Sequence, residues 1–422
     1  MLNAIIGTGV FVLPGTIAGM LGWSSMLAWA LAAGFTAAMI LCFAEVASRF
    51  TEAGGAYLYA EAAYGRFFGI QMGWMIYFAR CISAAVQANL FTTYLAEFWP
   101  WVETQTGTIV VSTLFIGLLA AINIRGVGTG ARVSDVFATI KAVPLLLFGL
   151  LGIAWLMSGK AATPAIASDP TMHGWLQALL LLMFAYGGFE SALIPLGEAK
   201  DPRRDAPFAL LFGIGLVTAI YLAVQVTVLA TLSDPAMNNR PLAESARVML
   251  GTTGAVVITI AAIISVYGWM ASNMLMVPRL TMAMAQRGDL PKVFGRIHKA
   301  FRTPWVSIVV FAVVSLFLAL QAGLLQNLTL SAVSRLLPYG AICLALPVFR
   351  RRDRTAVGES AAVRPALFRA PAGMLMSVIG MVVAVVLTTR MSGREAIAMT
   401  IVVAVATIHW ASIARGRSGR TL

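Results

Sequence analysis

The sequence predicts an all-α polytopic membrane protein of twelve transmembrane helices, built as two five-helix units of opposite orientation with two helices appended. Three observations carry this expectation. Of 422 residues, 59% are hydrophobic and 11% charged, where soluble domains carry about 25% charged residues; the mean hydropathy is +0.85. The apolar residues gather in windows of about 20, the length that crosses a bilayer as a helix. Two of those windows carry helix breakers where a spanning helix should be most regular.

The windows are 3–21, 26–50, 67–98, 107–124, 134–158, 174–197, 207–232, 252–286, 304–321, 325–349, 372–390 and 394–413. The first holds Ile5-Ile6-Gly7-Thr8-Gly9-Val10-Phe11-Val12-Leu13-Pro14-Gly15. Two glycines flank Thr8, so the backbone is free to unwind there. Pro14 then enters the first turns of a restarted helix or kinks a continuous one. Unwinding frees N–H and C=O groups, which in lipid must be satisfied by protein, water or a ligand. The break is therefore a candidate binding site. Six residues precede Gly7, whereas about ten, at about 1.5 Å each, reach the membrane surface. The expectation is that more chain lies upstream or that this is a shortened form. No basic n-region precedes the first window, so no signal peptide is read.

The second window carries Cys42 and, toward one end, Glu45; the third carries Arg80 and Cys81; the tenth carries Arg335 and Cys343. Three cysteines so far apart fit no disulfide framework or zinc spacing, and read as small buried hydrophobes. His173, His298 and His409 are equally scattered. No nucleophile–base pair, phosphate loop or metal cluster is visible, so neither an enzyme nor a metal protein is expected. The fifth window contains Lys141, about seven residues in, and an ionisable residue at that depth is a functional candidate by default. The alternative is a side chain that snorkels to the surface. The sixth contains the second break, Phe184-Ala185-Tyr186-Gly187-Gly188-Phe189-Glu190-Ser191. Arg80, Arg335 and Glu190 all sit at membrane depth, where charges face the bundle interior and pair. Before the seventh window, Asp201-Pro202 disfavours helix; the charged loop 198–207 reads as a turn that latches one gate. The arginine-rich segment 350–371, with Pro365 and Pro371, reads as an orientation signal and linker.

The loops alternate in charge. Of 30 basic residues, 21 fall on one side and five on the other, the remaining four lying within windows. The positive-inside rule places the richer side, and both termini, in the cytoplasm. This distribution, rather than the net +13, is informative, and nucleic acid is not expected as a partner. Each unit begins with a break and holds five windows, an odd number, so the second unit is inverted relative to the first. The units are residues 1–158 and 174–349, followed by two appended helices in 372–413 and a cytoplasmic tail, 414–422.

On these motifs the chain resembles the amino acid–polyamine–organocation superfamily of transporters. Gly7-Thr8-Gly9-Val10-Phe11 is similar to the family's first-helix signature, and Phe184 to Glu190 to its sixth. Glu198-Ala199-Lys200-Asp201-Pro202-Arg203-Arg204-Asp205-Ala206-Pro207 resembles the loop that follows. Pro278-Arg279-Leu280 and Gly288-Asp289-Leu290-Pro291, ending at Arg302-Thr303-Pro304, resemble the stretch after the eighth span. The resemblance implies a LeuT-like five-plus-five inverted-repeat fold and amino acid transport in a cell membrane, a bacterial inner membrane being expected.

An amino acid zwitterion presents two charges. The half-helix after Gly9 offers free N–H groups and a positive dipole end to the carboxylate, and Thr8 adds a hydroxyl. The carbonyls near Ile5 and Ile6, and around Phe184 and Gly187, suit the ammonium. The resemblance carries a substrate-binding role to Ile5, Gly7, Thr8, Gly9, Phe184 and Gly187, and adds Trp269 beside the pocket. Phe184 and Tyr186 are candidate gates. Glu190 is expected to hold the helix junction. The resemblance further implies that Lys141 occupies the space sodium fills in related carriers. Burial disfavours the charged form of an amine, so Lys141 is the candidate for proton coupling, with the proton as coupling ion and no sodium or other cofactor. Proton-coupled uptake leads; exchange or export is the alternative. A channel or sensor fits less well, because the polar residues within the windows are isolated. No acidic cluster demands a cationic substrate, and the small residues Ala84, Ala85 and Gly187 favour neutral amino acids. The partners expected are a small amino acid and the lipid bilayer; the sequence assigns no oligomeric state.

Overall fold

The computed structural model describes residues 2–52, 54–126, 131–162, 171–193, 201–355 and 364–418. Fourteen α-helices run through them. They are α1 (Leu2–Ile5), α2 (Gly9–Leu21), α3 (Ser25–Ala47), α4 (Ala56–Tyr64), α5 (Arg66–Leu95), α6 (Gln105–Ile124) and α7 (Ala131–Met157). The series continues with α8 (Met172–Tyr186), α9 (Pro202–Thr231), α10 (Pro241–Gln286), α11 (Trp305–Gln321), α12 (Leu324–Thr355), α13 (Gly373–Thr388) and α14 (Gly393–Ser418). Eight helical stretches have the length and hydropathy to cross a membrane, and α11 and α13 are shorter apolar helices. One stretch, Gly9–Ala47, joins α2 and α3 through a 3₁₀ turn at Gly22–Ser24.

Local chemistry sets several helix starts. Thr104 Oγ1 accepts from the Gly107 amide at 3.1 Å, and Thr171 Oγ1 from that of Gly174 at 3.1 Å, each pairing an orphan donor of the first turn. Pro202 and Pro241 open α9 and α10, where the missing N–H costs nothing. Four features depart from the hydropathy reading. The helix α9 starts at Pro202, inside the stretch 198–207 read as a turn, because proline is accommodated at a helix start. A helix, α4, occupies the segment between the second and third windows. The eighth begins at Pro241 rather than 252, with a bend at Gly251 (φ 69°); Glu244 and Arg247 hide its first turns from hydropathy. The last helix runs through Ser418, past the expected start of the tail.

Helices α5 and α10 pack on each other and are fastened at both ends. At the arginine-rich end, Asp289 accepts from Tyr57 OH and, at 2.5 Å, from Arg66 Nε. Arg287 there pairs with Glu52 at 3.0 Å and Glu61 at 2.8 Å. At the opposite end, Glu97 pairs with Arg240 at 3.4 Å and Arg247 at 2.5 Å.

The segment read as a linker is strapped down where it is described. Arg350 donates to both oxygens of buried Glu45, at 2.8 and 2.6 Å. The Ala370 amide donates to the same carboxylate at 2.8 Å, and the Arg364 amide to Arg49 O at 3.1 Å. Arg203 Nε donates to Ser48 O at 2.7 Å, tying the start of α9 to the end of α3. The rest of that motif, Glu198 to Lys200, lies outside the described residues.

Candidate functional site

Both expected breaks are present, and they cross. The first is the three residues Ile6-Gly7-Thr8 between α1 and α2. A helix end leaves its last carbonyls without partners. Here three successive carbonyls are each capped by a side chain from a different helix. Ala4 O accepts from Trp269 Nε1 of α10 at 3.2 Å. Ile5 O accepts from Tyr221 OH of α9 at 3.3 Å. Ile6 O accepts from Lys141 Nζ of α7 at 3.2 Å. The carbonyls expected to stand free for an ammonium are thus engaged, as burial away from water requires. Each keeps a second lone pair.

Beyond the break the Phe11 amide donates to Thr8 O at 3.0 Å. Thr8 Oγ1 and Gln87 Oε1 are buried without a hydrogen-bond partner. The Gln87 amide lies against Gly7, where an added Cβ would come 2.9 Å from its Nε2 and 3.3 Å from Trp269 Cδ1. The Thr8 hydroxyl, able to donate or accept, and the Gln87 acceptor oxygen stand unpartnered at one unwound stretch, where they suit a ligand that brings both acceptors and donors.

The second break follows α8. The Gly187 amide turns back to Phe184 O at 3.1 Å, Gly188 adopts φ 116°, and a 3₁₀ turn covers Phe189–Leu193. Only glycine takes that φ without strain, and a Cβ on Gly188 would overlap the Ala4 carbonyl. One on Gly9 would fall 2.8 Å from Ala185 Cα. The two unwound stretches therefore meet backbone to backbone. Tyr221 OH clamps them, lying 3.1 Å from Ala185 O as well as near Ile5 O.

Beneath the second break lies a buried charge cluster. Glu190 Oε1 accepts from Arg80 Nη2. Its Oε2 accepts from Tyr339 OH at 2.7 Å and from the Gly188 amide at 2.9 Å. The last bond ties the carboxylate to the unwound backbone. Arg335 Nε stands 3.9 Å from Oε1, and its Nη2 donates to Ser83 Oγ at 2.5 Å. The Arg335 guanidinium carbon sits 5.2 Å from the centre of the Phe184 ring, in cation–π contact.

Of the candidate residues, Ile5, Gly7, Thr8, Gly9, Gly187, Trp269, Lys141 and Glu190 are brought together around the crossing. Phe184 faces Arg335. The Tyr186 ring packs edge-on to Trp29 at 5.8 Å and beside that of Tyr221 at 5.3 Å, and its hydroxyl donates to Trp29 O at 3.3 Å. Sequence reasoning missed Gln87, Tyr221 and Gln225. Gln225 accepts from Trp29 Nε1 at 2.8 Å and donates to Pro14 O at 3.3 Å. A signal was available: Tyr221 and Gln225 stand four apart in an apolar helix, hence on one face.

A family model described as amino acid permease matches residues 1–408. Three relatives bracket the similarity. The serine/threonine exchanger SteT of Bacillus subtilis (strain 168) is 30% identical over 318 residues, covering 73% of this chain and 71% of its own. An uncharacterized transporter of Mycobacterium tuberculosis (strain ATCC 25618 / H37Rv) is 31% identical over 321 residues, 74% and 70% of the two chains. The methylthioribose transporter of Bacillus subtilis (strain 168) is 26% identical over 371 residues, 83% and 79%.

Proposed function

Because the chain belongs to the amino acid permease family, a family of transporters rather than enzymes, we propose that it carries amino acids across a cell membrane by alternating access, with proton-coupled uptake as its mode. The observation that carries this reading is the crossing of two unwound helices, the freed carbonyls of the first held by Trp269, Tyr221 and Lys141. Unwound backbone at membrane depth, in two helices, is the usual construction of a transporter's substrate site. The zwitterion's carboxylate goes to Thr8 and the start of α2, and its ammonium to the second lone pairs of the Ile5, Ile6 and Phe184–Gly187 carbonyls. Trp269 walls the site.

In this reading the helices form twelve spans in a LeuT-like arrangement, with units at 1–158 and 174–349 and two spans appended. The arginine-rich end and both termini face the cytoplasm of a bacterial cell. Lys141 stands where a coupling cation would otherwise bind the Ile6 carbonyl. Its proton is lost and regained in the cycle, with no role for sodium.

A second reading, exchange of one amino acid for another, is favoured by the 30% identical relative, whose name is that of an exchanger. Proteoliposomes separate the two. Labelled amino acids should accumulate under an inward proton gradient with empty vesicles. Uptake that requires preloaded amino acid makes the protein an exchanger, and stimulation by sodium alone removes the role given to Lys141. No transport of any amino acid sinks both readings.

A further inference from the structure

Counting charges under the second break gives two guanidiniums and one carboxylate, all within a few per cent of full burial: Arg80 at 0%, Arg335 at 4%, Glu190 at 5%. The carboxylate already has three donors. It receives Arg80, the Tyr339 hydroxyl and the Gly188 amide, leaving Arg335 at 3.9 Å as its most distant partner. Arg80 Nε and Nη1 and Arg335 Nε have no hydrogen-bond acceptor.

The other buried acids described are committed elsewhere. Glu45 takes Arg350 and the Ala370 amide, Asp289 takes Tyr57 and Arg66, and Glu395 takes the Ser392 amide. The two guanidiniums therefore share one carboxylate, and among the described residues the cluster carries one positive charge in excess. An uncompensated charge away from water is strongly disfavoured, so the arrangement persists only with something to recommend it.

The location of that charge gives its use. Arg335 is not deep in the scaffold. Its guanidinium lies over the Phe184 ring and against Gly187, where an added Cβ would overlap it. Gly187 thus does more than end α8: with no side chain there, the guanidinium reaches the unwound backbone of the substrate site itself. The zwitterion's own two charges are met at the first break and by the break carbonyls. What remains is a planar cation at the side-chain end of the site, its Nη1 the guanidinium atom nearest Gly187, while Nε faces Glu190. Guanidinium geometry matches a carboxylate.

We infer that the substrate class is amino acids with an anionic side chain, the side-chain carboxylate pairing with Arg335 and supplying the missing counter-ion. This rests on the amino acid transport reading and sharpens it, and it departs from the neutral substrates that the small residues favour in sequence. Arg80 is the positioning partner: it holds Glu190, which would otherwise neutralise Arg335. A neutral substrate would leave the cluster's excess positive charge buried and uncompensated, so discrimination follows from the protein's own electrostatics.

The test compares labelled L-glutamate and L-aspartate with L-glutamine, L-serine, L-threonine and L-arginine in proteoliposomes. Glutamate and glutamine have nearly the same shape and differ in charge, so their ratio of kcat/KM reads the inference directly. For the wild type we expect glutamate to exceed glutamine by at least about 30-fold, the scale on which a buried charge pair discriminates. Arg335→Met should lose that preference, with glutamate falling and glutamine rising or unchanged. Arg335→Lys, which keeps the charge, should retain part of it and guards against a variant that fails to fold. Glutamine or serine carried as well as glutamate overturns the inference and leaves amino acid transport standing. So does an Arg335→Met protein, still folded by its melting curve, that loses glutamate and glutamine in equal measure. Failure of every amino acid to move brings down the transport reading and this inference together.

Discussion

Lys141 Nζ donates a hydrogen bond to the main-chain oxygen of Ile6 at 3.2 Å, across 135 residues of sequence, and the lysine side chain is 1% exposed. No snorkelling path is used: the ammonium end points at the unwound backbone, not toward either surface. If that amine is the coupling group, Lys141→Met should abolish accumulation driven by a proton gradient while leaving counterflow of preloaded substrate detectable. It should also destabilise the fold by about 1–3 kcal/mol, because the Ile6 carbonyl is left buried and unpaired. Retention of gradient-driven accumulation in Lys141→Met vesicles would make the lysine a structural cap only.

Tyr221 offers a cleaner separation of structure from coupling. Its hydroxyl reaches Ile5 O and Ala185 O, one from each broken helix, while its ring packs on Trp29 at 5.2 Å and Tyr186 at 5.3 Å. Tyr221→Phe keeps the rings and removes the clamp. The one hydroxyl proton shared by two carbonyls is lost, so the melting temperature in detergent should fall, by the equivalent of about 1–3 kcal/mol. Tyr186→Phe loses one bond, to Trp29 O, outside the crossing, and should fall less. Equal drops would mean that the hydroxyls do not differ in structural weight.

Gly188 tests whether the backbone crossing matters for turnover. Alanine there is strained twice, by φ 116° and by overlap with the Ala4 carbonyl, so the breaks must separate. Gly188→Ala should reduce substrate affinity at least about tenfold, the effect of a shift of order 1 Å in a preorganised site. Gly34→Ala, where an added Cβ meets nothing within 4 Å, is the matched control. Saturation binding of labelled substrate to purified protein decides it; an unchanged Kd at Gly188→Ala would show the crossing to be tolerant.

Much of this was legible in the sequence, and the reasons differ by feature. The two breaks announce themselves through Gly7, Gly9, Gly187 and Gly188 inside apolar windows, because helix propensity and membrane burial conflict there. Lys141 stands out for the same reason: a charge in an apolar run has few innocent explanations. What could not be read is which groups satisfy which. The caps on Ala4, Ile5 and Ile6 come from α10, α9 and α7, more than 130 residues away in each case, and one sequence carries no record of such pairing. Trp269 and Lys141 were named as candidates, while Tyr221 was passed over, since a tyrosine in an apolar helix looks ordinary until its hydroxyl is placed. The pairing of Arg80 with Glu190, and the excess charge of the cluster they form with Arg335, likewise needed three dimensions. Hydropathy also missed α4, which at nine residues is too short for a membrane-length window, and the start of α10, where Glu244 and Arg247 mask the helix.

The ion pairs at the two ends of α5 and α10 lead to a prediction about motion. Asp289 joins the two helices at the arginine-rich end through Tyr57 and Arg66, and is itself 1% exposed. Glu97 does the same at the other end through Arg240 and Arg247, and is more accessible, at 13%. A buried hydrogen-bonded carboxylate is worth more than an exposed one, so the arginine-rich end should be the tighter latch. Asp289→Asn keeps the shape and removes the charge that Arg66 faces. Amide hydrogen exchange in α4 and the last turns of α10 should then quicken by about tenfold or more, the rate factor for roughly 1.4 kcal/mol of lost local stability. Glu97→Gln should quicken exchange near 241–250 instead, and by less. If both substitutions loosen the same end, the pairs are not independent fasteners; if neither does, packing between α5 and α10 alone holds the bundle shut. Transport distinguishes a latch from a brace: a latch variant should leak accumulated substrate faster when the gradient is collapsed, whereas a brace variant should lower uptake and efflux together.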